Sequence, residues 1–308
     1  MALGDHAEVP HRGYLGRPAV ARCRAVPRVT VIIATYNWSS VLPYSIGSVL
    51  RQTFTDFELL VVGDGCTDDS ERVVAAIGDP RVRWINLPAN SGHQSAPNNE
   101  GLRQARGELI AYLGHDDLWL PHHLATLVST LDAQSADVTH GMMVCVGPES
   151  RFLWALLPRP ERSYTAPPSA SLYRRRVTEE IGGWRDHREV SVSPDAELWR
   201  RTRAAGYRIA FASRLTGIKF PAAWRPNVYK LRPSHEQAAW LQRIDSESDM
   251  EQRILVDTLI RDEVPTALSY RQYVRQFIRE TLIRIRRRFQ VPWSGVKPVE
   301  DVRRFKGL

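Results

Sequence analysis

The sequence predicts an α/β fold: a mostly parallel sheet flanked by helices, followed by a C-terminal helical extension. Three observations carry this. Apolar runs short enough to be buried strands recur through the first 115 residues. Stretches with helical spacing alternate with them, which implies parallel strands joined by right-handed crossovers. The loops that end the strands are rich in Asp, Asn, Gly and Ser, and all leave one edge of the sheet.

Residues 1–27 carry Gly, Pro and Arg without an apolar period and read as an extended arm. Val29-Thr-Val-Ile-Ile-Ala34 is a continuous β-branched run, the signal of a central strand. Ser39 or Ser40 can cap the next helix, whose positions Leu42, Ile46, Val49 and Leu50 keep helical spacing; Pro43 falls in its first turn, where it is tolerated. Phe57-Glu-Leu-Leu-Val-Val62 is a second strand, breaking into Gly63-Asp-Gly-Cys-Thr-Asp-Asp69, with a helix from about Ser70 to Ile77. Arg81-Val-Arg-Trp-Ile-Asn86 is a third strand; the polar loop 90–99 then leads into a helix to Ala105. Glu108-Leu-Ile-Ala-Tyr-Leu113 is the next strand, and Pro121 opens a helix to about Asp132.

Beyond this point the pattern changes. A strand is expected over 137–146, an irregular Pro- and Arg-rich stretch over 147–170, and a helix over 172–181 ending at Gly182-Gly183. Ser193-Pro-Asp-Ala-Glu opens a helix with a cap, a proline and acids, and Gly206 closes it before a short strand over 207–212. Two long helices follow, over 234–261 and 266–289, broken at Pro265. The second bears an apolar stripe (Tyr270, Tyr273, Val274, Phe277, Ile278, Leu282, Ile285) set among arginines.

Charge is unevenly placed. The net charge is +8, and residues 271–308 hold eleven Lys/Arg against three Asp/Glu. The excess therefore lies in the tail, which argues against a uniformly basic nucleic-acid surface. It leaves a solvated basic helix, a peripheral membrane contact or a homo-oligomer contact as readings of that helix. No apolar run is long enough to span a membrane, and the N-terminus lacks a signal-type segment. Cys23, Cys66 and Cys145 are widely spaced and form no metal-type pair, so a cytoplasmic location is expected, with the inner membrane face as its variant.

The chemistry centres on Leu113-Gly-His-Asp-Asp-Leu-Trp-Leu-Pro121. Asp116 and Asp117 sit where a central strand ends, the edge at which open α/β sheets bind ligands. Adjacent carboxylates there suit a hard divalent cation on substrate phosphates, or else a solvated turn with Asp117 as a helix cap. Asp64, at the end of the second strand, can accept hydrogen bonds from a base or ribose; a plain turn is the alternative. The glycine fingerprint of dinucleotide binders and the Walker loop are both absent, which disfavours a nicotinamide enzyme or a P-loop ATPase.

Taken together, these residues resemble the family 2 glycosyltransferases, whose domain is the Rossmann-like GT-A fold. Val31-Ile-Ile-Ala-Thr-Tyr-Asn37 is similar to their first strand and nucleotide turn, and Val61 to Ser70 to their second-strand motif, usually Val-Asp-Asp-Gly-Ser-Thr-Asp. Leu113 to Pro121 resembles their Asp-x-Asp-Asp segment. Ile181-Gly-Gly-Trp-Arg and Pro194-Asp-Ala-Glu-Leu-Trp-Arg200 resemble their acceptor-side motifs. The likeness covers roughly residues 28–215 and implies a GT-A domain over 28–220. Its nucleotide-sugar half would be 28–132 and its acceptor half 133–220, with the helical extension over 221–308.

The resemblance implies an inverting, metal-dependent transfer of a sugar from a nucleotide-diphospho-sugar to a hydroxyl of a glycan or other acceptor. Thr35, Tyr36, Asn37, Asp64, Asn99 and Asp116 would contact the donor. Asp116 and Asp117, joined by the late His235, would hold Mg or Mn. Asp195 would be the catalytic base. His115 and His93 are weaker candidates, and Trp119, Trp184 and Trp199 are read either as sugar platforms or as core. Gly63, Gly114 and Pro194 stand where the family usually has acids, and Pro97-Asn98-Asn99 stands where it often has Ala-Arg-Asn. Gly63, Gly114 and the helical tail keep a non-catalytic nucleotide-sugar-binding scaffold as an alternative, and a sugar nucleotidyltransferase of related architecture is a second, although the chain lacks the Gly-rich basic loop such an enzyme normally has after its first strand.

Overall fold

The computed structural model describes residues 26–150, 153–156, 166–263 and 306–307. Residues 1–25 of the expected arm, residues 151–152 and 157–165 of the expected irregular stretch, and the helix over 266–289 lie outside the described residues. In chain order the elements are β1 (Val29–Thr35), α1 (Leu42–Leu50), β2 (Phe57–Gly63), α2 (Ser70–Ala75), β3 (Val82–Asn86), α3 (Ser95–Gln104), β4 (Leu109–Gly114), β5 (Leu118–Trp119) and α4 (His123–Ala133). Then come β6 (Val138–Val146), β7 (Leu153–Leu156), β8 (Ser171–Arg174), α5 (Arg175–Glu180), α6 (Pro194–Ala204), β9 (Ile209–Lys219), α7 (Val228–Leu231), α8 (His235–Ser246) and α9 (Met250–Glu263).

One sheet carries the order β3-β2-β1-β4-β8-β6-β9-β5, with β7 added on β6. The half built from β1 to β4 is parallel, as the βα alternation requires. Beyond β4 it turns mixed: β8 pairs antiparallel with β4 and β6, while β6 and β9 run parallel. Both faces of the parallel half are buried, which explains the unbroken apolar runs. Along β1, β2 and β4, Val29, Val31, Ile33, Phe57, Leu59, Val61, Leu109 and Leu113 face a layer shared with α1 and α4. The alternate residues Ile32, Leu60, Val62, Ile110 and Tyr112 face a second layer with Trp184, Leu198 and Trp199. Leu59 is fully buried at the centre of the first layer. Leu59→Ala is expected to lower stability by about 2–5 kcal/mol in a urea titration, the range for a deleted core leucine; a change under about 0.5 kcal/mol would place it outside the core.

The stretch over 133–220 departs from expectation. The predicted helix over 172–181 is a strand, β8, followed by the short α5, because Ile110 and Ala111 of β4 capture Tyr173 and Leu172 in the ladder. The predicted short strand over 207–212 extends to Lys219 as β9. The long helix over 234–261 divides into α8 and α9. Trp240 and Leu241 of α8 and Met250 and Ile254 of α9 pack with Leu118, Val144 and Ile218, so these helices share a core with the sheet. Among the described residues, no helix is long and apolar enough to cross a membrane.

Candidate active site

The C-terminal ends of β1, β2 and β4 and the loops around them enclose a cavity of about 480 Å³, within the range of small-molecule sites. It brings Thr35, Tyr36, Asp64, Asp116 and Asp195 together, from four separate stretches of chain. Strand order explains the convergence. β1 is central, with β2 and β4 on either side in parallel register, so the residues that follow all three emerge side by side. Asp195 arrives from the first turn of α6, with Ser193 and Pro194 setting the helix start.

The lining residues at the ends of β1, β2 and β4 are held by their neighbours. Asp64 is 4 % exposed, and its carboxylate accepts the Ser91 N–H at 2.9 Å and the Gly92 N–H at 3.1 Å. That pins the loop between β3 and α3 against the cavity wall. Thr35 Oγ1 lies 3.0 Å from His115 Nδ1, and His115 Nε2 lies 3.2 Å from the Tyr229 hydroxyl. Trp38 packs edge-on against both of these rings. Burial lowers the His115 pKa to about 4, so the ring is neutral. Burial also raises the Tyr229 pKa, which keeps that phenol protonated.

Asp116 and Asp117 have different fates. Asp116 faces the cavity, and burial together with the Asp117 charge pushes its carboxyl up to about 7. Asp117 lies beneath the cavity and is fully buried. Its Oδ1 accepts the Phe220 N–H at 3.0 Å, while its Oδ2 accepts from Ser169 Oγ at 2.6 Å and from Lys219 Nζ at 2.9 Å. These three contacts tie the turn after β4 to the end of β9, and both oxygens are engaged. His235 opens α8, is exposed, and lies outside the cavity lining. Two residues on, Gln237 donates to the Asp116 carbonyl at 3.2 Å. Of the three ligands expected for a metal, the cavity therefore receives Asp116. Among the described residues, no group of three His, Cys, Asp or Glu could hold a metal ion by itself. A Mg or Mn ion fits on Asp116 when a donor diphosphate and water supply the remaining oxygens, a common arrangement for Mg.

Two other expected donor contacts support the walls instead. Asn37, at φ 44°, accepts the backbone N–H groups of Thr67 and Asp68 and donates to Thr67 Oγ1. Asn99 exchanges two 2.8 Å hydrogen bonds with the Trp184 backbone, while its neighbour Asn98 lines the cavity. Trp119, Trp184 and Trp199 are core residues, at most 4 % exposed, and offer no sugar platform. His93 lines the cavity beside Gln94 and stacks on His187 at 5.4 Å. Ser169, Lys219, Tyr229 and Lys306 also line the cavity, and the motif reading missed all four.

The glycine departures have steric causes. A Cβ at Gly63 would lie 2.5 Å from Asn86 Oδ1 and 2.7 Å from the Trp84 ring. A Cβ at Gly114 would lie 2.8 Å from Asp117 Oδ2. Restoring the family acid with Gly114→Asp is therefore expected to destabilise the protein by about 1–3 kcal/mol, as overpacking does. It would also add a third carboxylate to the cluster. A urea midpoint equal to wild type would contradict this.

Acid stability follows from the buried rings. Burial lowers the pKa of His115 and His140 to about 4 and of His123 to about 3. All three are neutral in the fold and protonate near 6.5 in the unfolded chain. Below that pH the unfolded chain binds more protons, so stability falls as the pH drops toward 4. Asp116, raised to about 7, acts with the opposite sign and offsets one histidine. The net loss is about 3 kcal/mol per pH unit between pH 6 and 4.5, at about 1.4 kcal/mol per proton. Urea midpoints that stay constant over that window would contradict it.

Comparison with known proteins agrees with this geometry. Residues 30–182 match the family described as Glycosyl transferase family 2. The chain belongs to glycosyl transferase family 2. The matched residues run from β1 through α5 and include Asp64 and Asp116, while Asp195 and Lys219 fall beyond them. An uncharacterized glycosyltransferase of Nostoc sp. is 32 % identical over 171 residues, which is 50 % of this chain and 53 % of that protein. The glucosyltransferase WfgD of Escherichia coli, named for transfer from UDP-Glc to α-D-GlcNAc-diphosphoundecaprenol, is 31 % identical over 113 residues, 37 % of this chain and 44 % of its own. The chain thus matches about half the length, or less, of these family 2 relatives. Among solved structures, TarS 1–349 of S. aureus bound to UDP superposes with a TM-score of 0.55 at 21 % identity, covering 75 % of this chain and 70 % of its own. The mannosyltransferase PcManGT of Pyrobaculum calidifontis, in complex with GDP-Man and Mn2+, gives 0.51 at 18 %, covering 83 % and 81 %. Both share the GT-A fold with this family 2 chain.

Proposed function

We propose that this chain is an inverting glycosyltransferase that moves a sugar from a UDP-sugar to a hydroxyl of a growing polysaccharide or glycolipid. The observation that carries the reading is the convergence of Asp64, Asp116 and Asp195 on one cavity. The family 2 match supports the reaction class, and the activity for which WfgD is named supports the donor and the kind of acceptor.

The roles follow from position. Thr35, Tyr36 and Asp64 form the end of the cavity that would receive the nucleoside. Asp116 would hold the Mg or Mn ion, which supplies positive charge to the diphosphate leaving group. Asp195, from the first turn of α6, takes the proton from the acceptor hydroxyl. That oxygen bonds to the anomeric carbon, the bond from this carbon to the diphosphate oxygen breaks, and its electron pair leaves with the nucleoside diphosphate. Attack opposite the leaving group inverts the anomeric configuration.

The test is a nucleoside diphosphate release assay with UDP-glucose, UDP-GlcNAc and GDP-mannose, in Mg, in Mn and in EDTA, with polyprenyl-diphosphate-linked sugars as acceptors. The expected result is acceptor-dependent UDP release that requires the divalent ion. Pyrophosphate release would favour nucleotidyl transfer. Donor binding without release to any acceptor would favour a scaffold.

A further inference from the structure

We propose, on the reading of Asp195 as the base, that Arg201 is its positioning residue: Arg201 clasps Glu197 to the turn at 181–183 and so fixes the first turn of α6. Asp195 and Glu197 both lie in that first turn. Two residues apart on a helix, they do not share a face. Asp195 lines the cavity, whereas Glu197 is 3 % exposed and takes no part in the lining. Arg201 stands one turn further along α6. Its Nε donates to both Glu197 carboxylate oxygens at 2.8 Å. Its Nη2 donates to the Gly183 carbonyl at 2.6 Å, and its Nη1 to the Ile181 carbonyl. Carbonyls at a helix end have no partner within the helix, so one guanidinium satisfies the end of α5 and a buried acid of α6 together.

These contacts close a loop. Residues 184–193 leave the glycine turn and return as α6, and Ser191, Val192 and Ser193 of that loop line the cavity. Arg201 fastens its two ends, and Arg185 from within it reaches Glu197 at 3.4 Å. The turn is anchored from α3 as well: Asn99 exchanges two hydrogen bonds with the Trp184 backbone, and its neighbour Asn98 lines the cavity. Gly182 and Gly183, at φ 78° and 64°, take a conformation that glycine adopts without strain. A continuous set of polar contacts therefore runs from α3 through the turn to α6, between two cavity-lining residues. An exposed ion pair along a helix fixes little. Here the Arg201 and Glu197 side chains are 16 % and 4 % exposed, and the arginine reaches beyond its own helix. A general base acts only within hydrogen-bond reach of its proton, and a misplacement of about 1 Å can cost about 100-fold.

The test is a double-mutant cycle on the full chain, read as acceptor-dependent UDP release at saturating donor, with UDP affinity measured by calorimetry. The variants are Asp195→Asn, Arg201→Met, Arg201→Lys, Glu197→Gln, and Asp195→Asn combined with Arg201→Met or with Glu197→Gln. Arg201→Met is expected to lower kcat about 10–100-fold while UDP affinity stays within about threefold of wild type. Arg201→Lys keeps the charge beside Glu197 and should recover part of the loss. In the Asp195→Asn background, Arg201→Met should lower kcat by less than about a further threefold, because no base is left to position. If Arg201→Met does not fold, Glu197→Gln carries the same comparison, with a loss of kcat in the wild-type background and little further loss beside Asp195→Asn. Wild-type kcat in the folded variants, losses that multiply in the double variants, or UDP affinity lost in step with kcat would overturn the role of Arg201 and leave the base reading intact. Full turnover by Asp195→Asn would overturn the base reading, and the role of Arg201 with it.

Discussion

Asp195→Asn is expected to lower kcat by about 10²–10⁴-fold, the range for removing a positioned general base, with the donor KM changed less than about threefold. The asymmetry is the informative part. In the proposed mechanism Asp195, a cavity-lining residue, meets the reaction through the acceptor proton, so its loss should strike the chemical step. Asn preserves the size of the side chain and its place in the first turn of α6, so the urea midpoint should stay near wild type. Acceptor-dependent UDP release assayed at saturating donor measures it. Full turnover by the variant would move the base elsewhere, and a joint loss of turnover and stability would make Asp195 a helix-start residue.

Lys219→Met carries a large expected effect on stability. Removing the ammonium leaves Asp117 with its negative charge, fully buried and held by Ser169 and Phe220 alone. Breaking a buried ion pair on one side costs about 3–5 kcal/mol, because the remaining charge has no compensation. The Lys219 side chain retains 28 % exposure, so the lower end of that range is expected. Adding Asp117→Asn to Lys219→Met removes the orphaned charge, and its amide oxygen can still accept the Phe220 N–H. The double variant should recover much of the loss. Urea titrations of both variants check this; a single variant as stable as wild type would contradict an ion pair that holds β4 to β9.

The parallel half of the fold is legible because its strands are buried on both faces. Val29-Thr-Val-Ile-Ile-Ala34 and Phe57 to Val62 have no helical reading of comparable strength. The stretch over 133–220 was less legible. The residues 171–174 carry no strand period, and they are extended because β4 and β6 pair with them. The same distinction governs the site. Asp64, Asp116 and Asp195 could be found because each acid ends a strand or begins a helix. What the sequence cannot show is how a turn divides adjacent residues. Asp116 points into the cavity while Asp117 points below it, and one step along α3 turns Asn98 inward and Asn99 toward Trp184. The partner that decides the fate of Asp117 stands 102 residues later, at Lys219. Lys219 and Tyr229 lie in stretches without a motif, so no local signal marks them. The basic C-terminal sequence attracted attention through its net charge, which says nothing about Lys306 in particular.

The restored acid at position 114 and the double variant at 117 and 219 probe one idea from opposite sides: this chain gave the second carboxylate of its aspartate pair to structure and left Asp116 to face the ligand. The most direct measurement of the central claim is thermal unfolding of the full chain against a panel of UDP-, GDP- and dTDP-sugars, with and without Mn. A ligand held at one hundred times its dissociation constant stabilises the fold by about 2.7 kcal/mol. At least one nucleotide-sugar should therefore raise Tm by several degrees, with the rise lost in Asp116→Ala. A Tm that stays flat across the panel, or a rise that Asp116→Ala keeps in full, would contradict a cavity built to hold a nucleotide-sugar at Asp116.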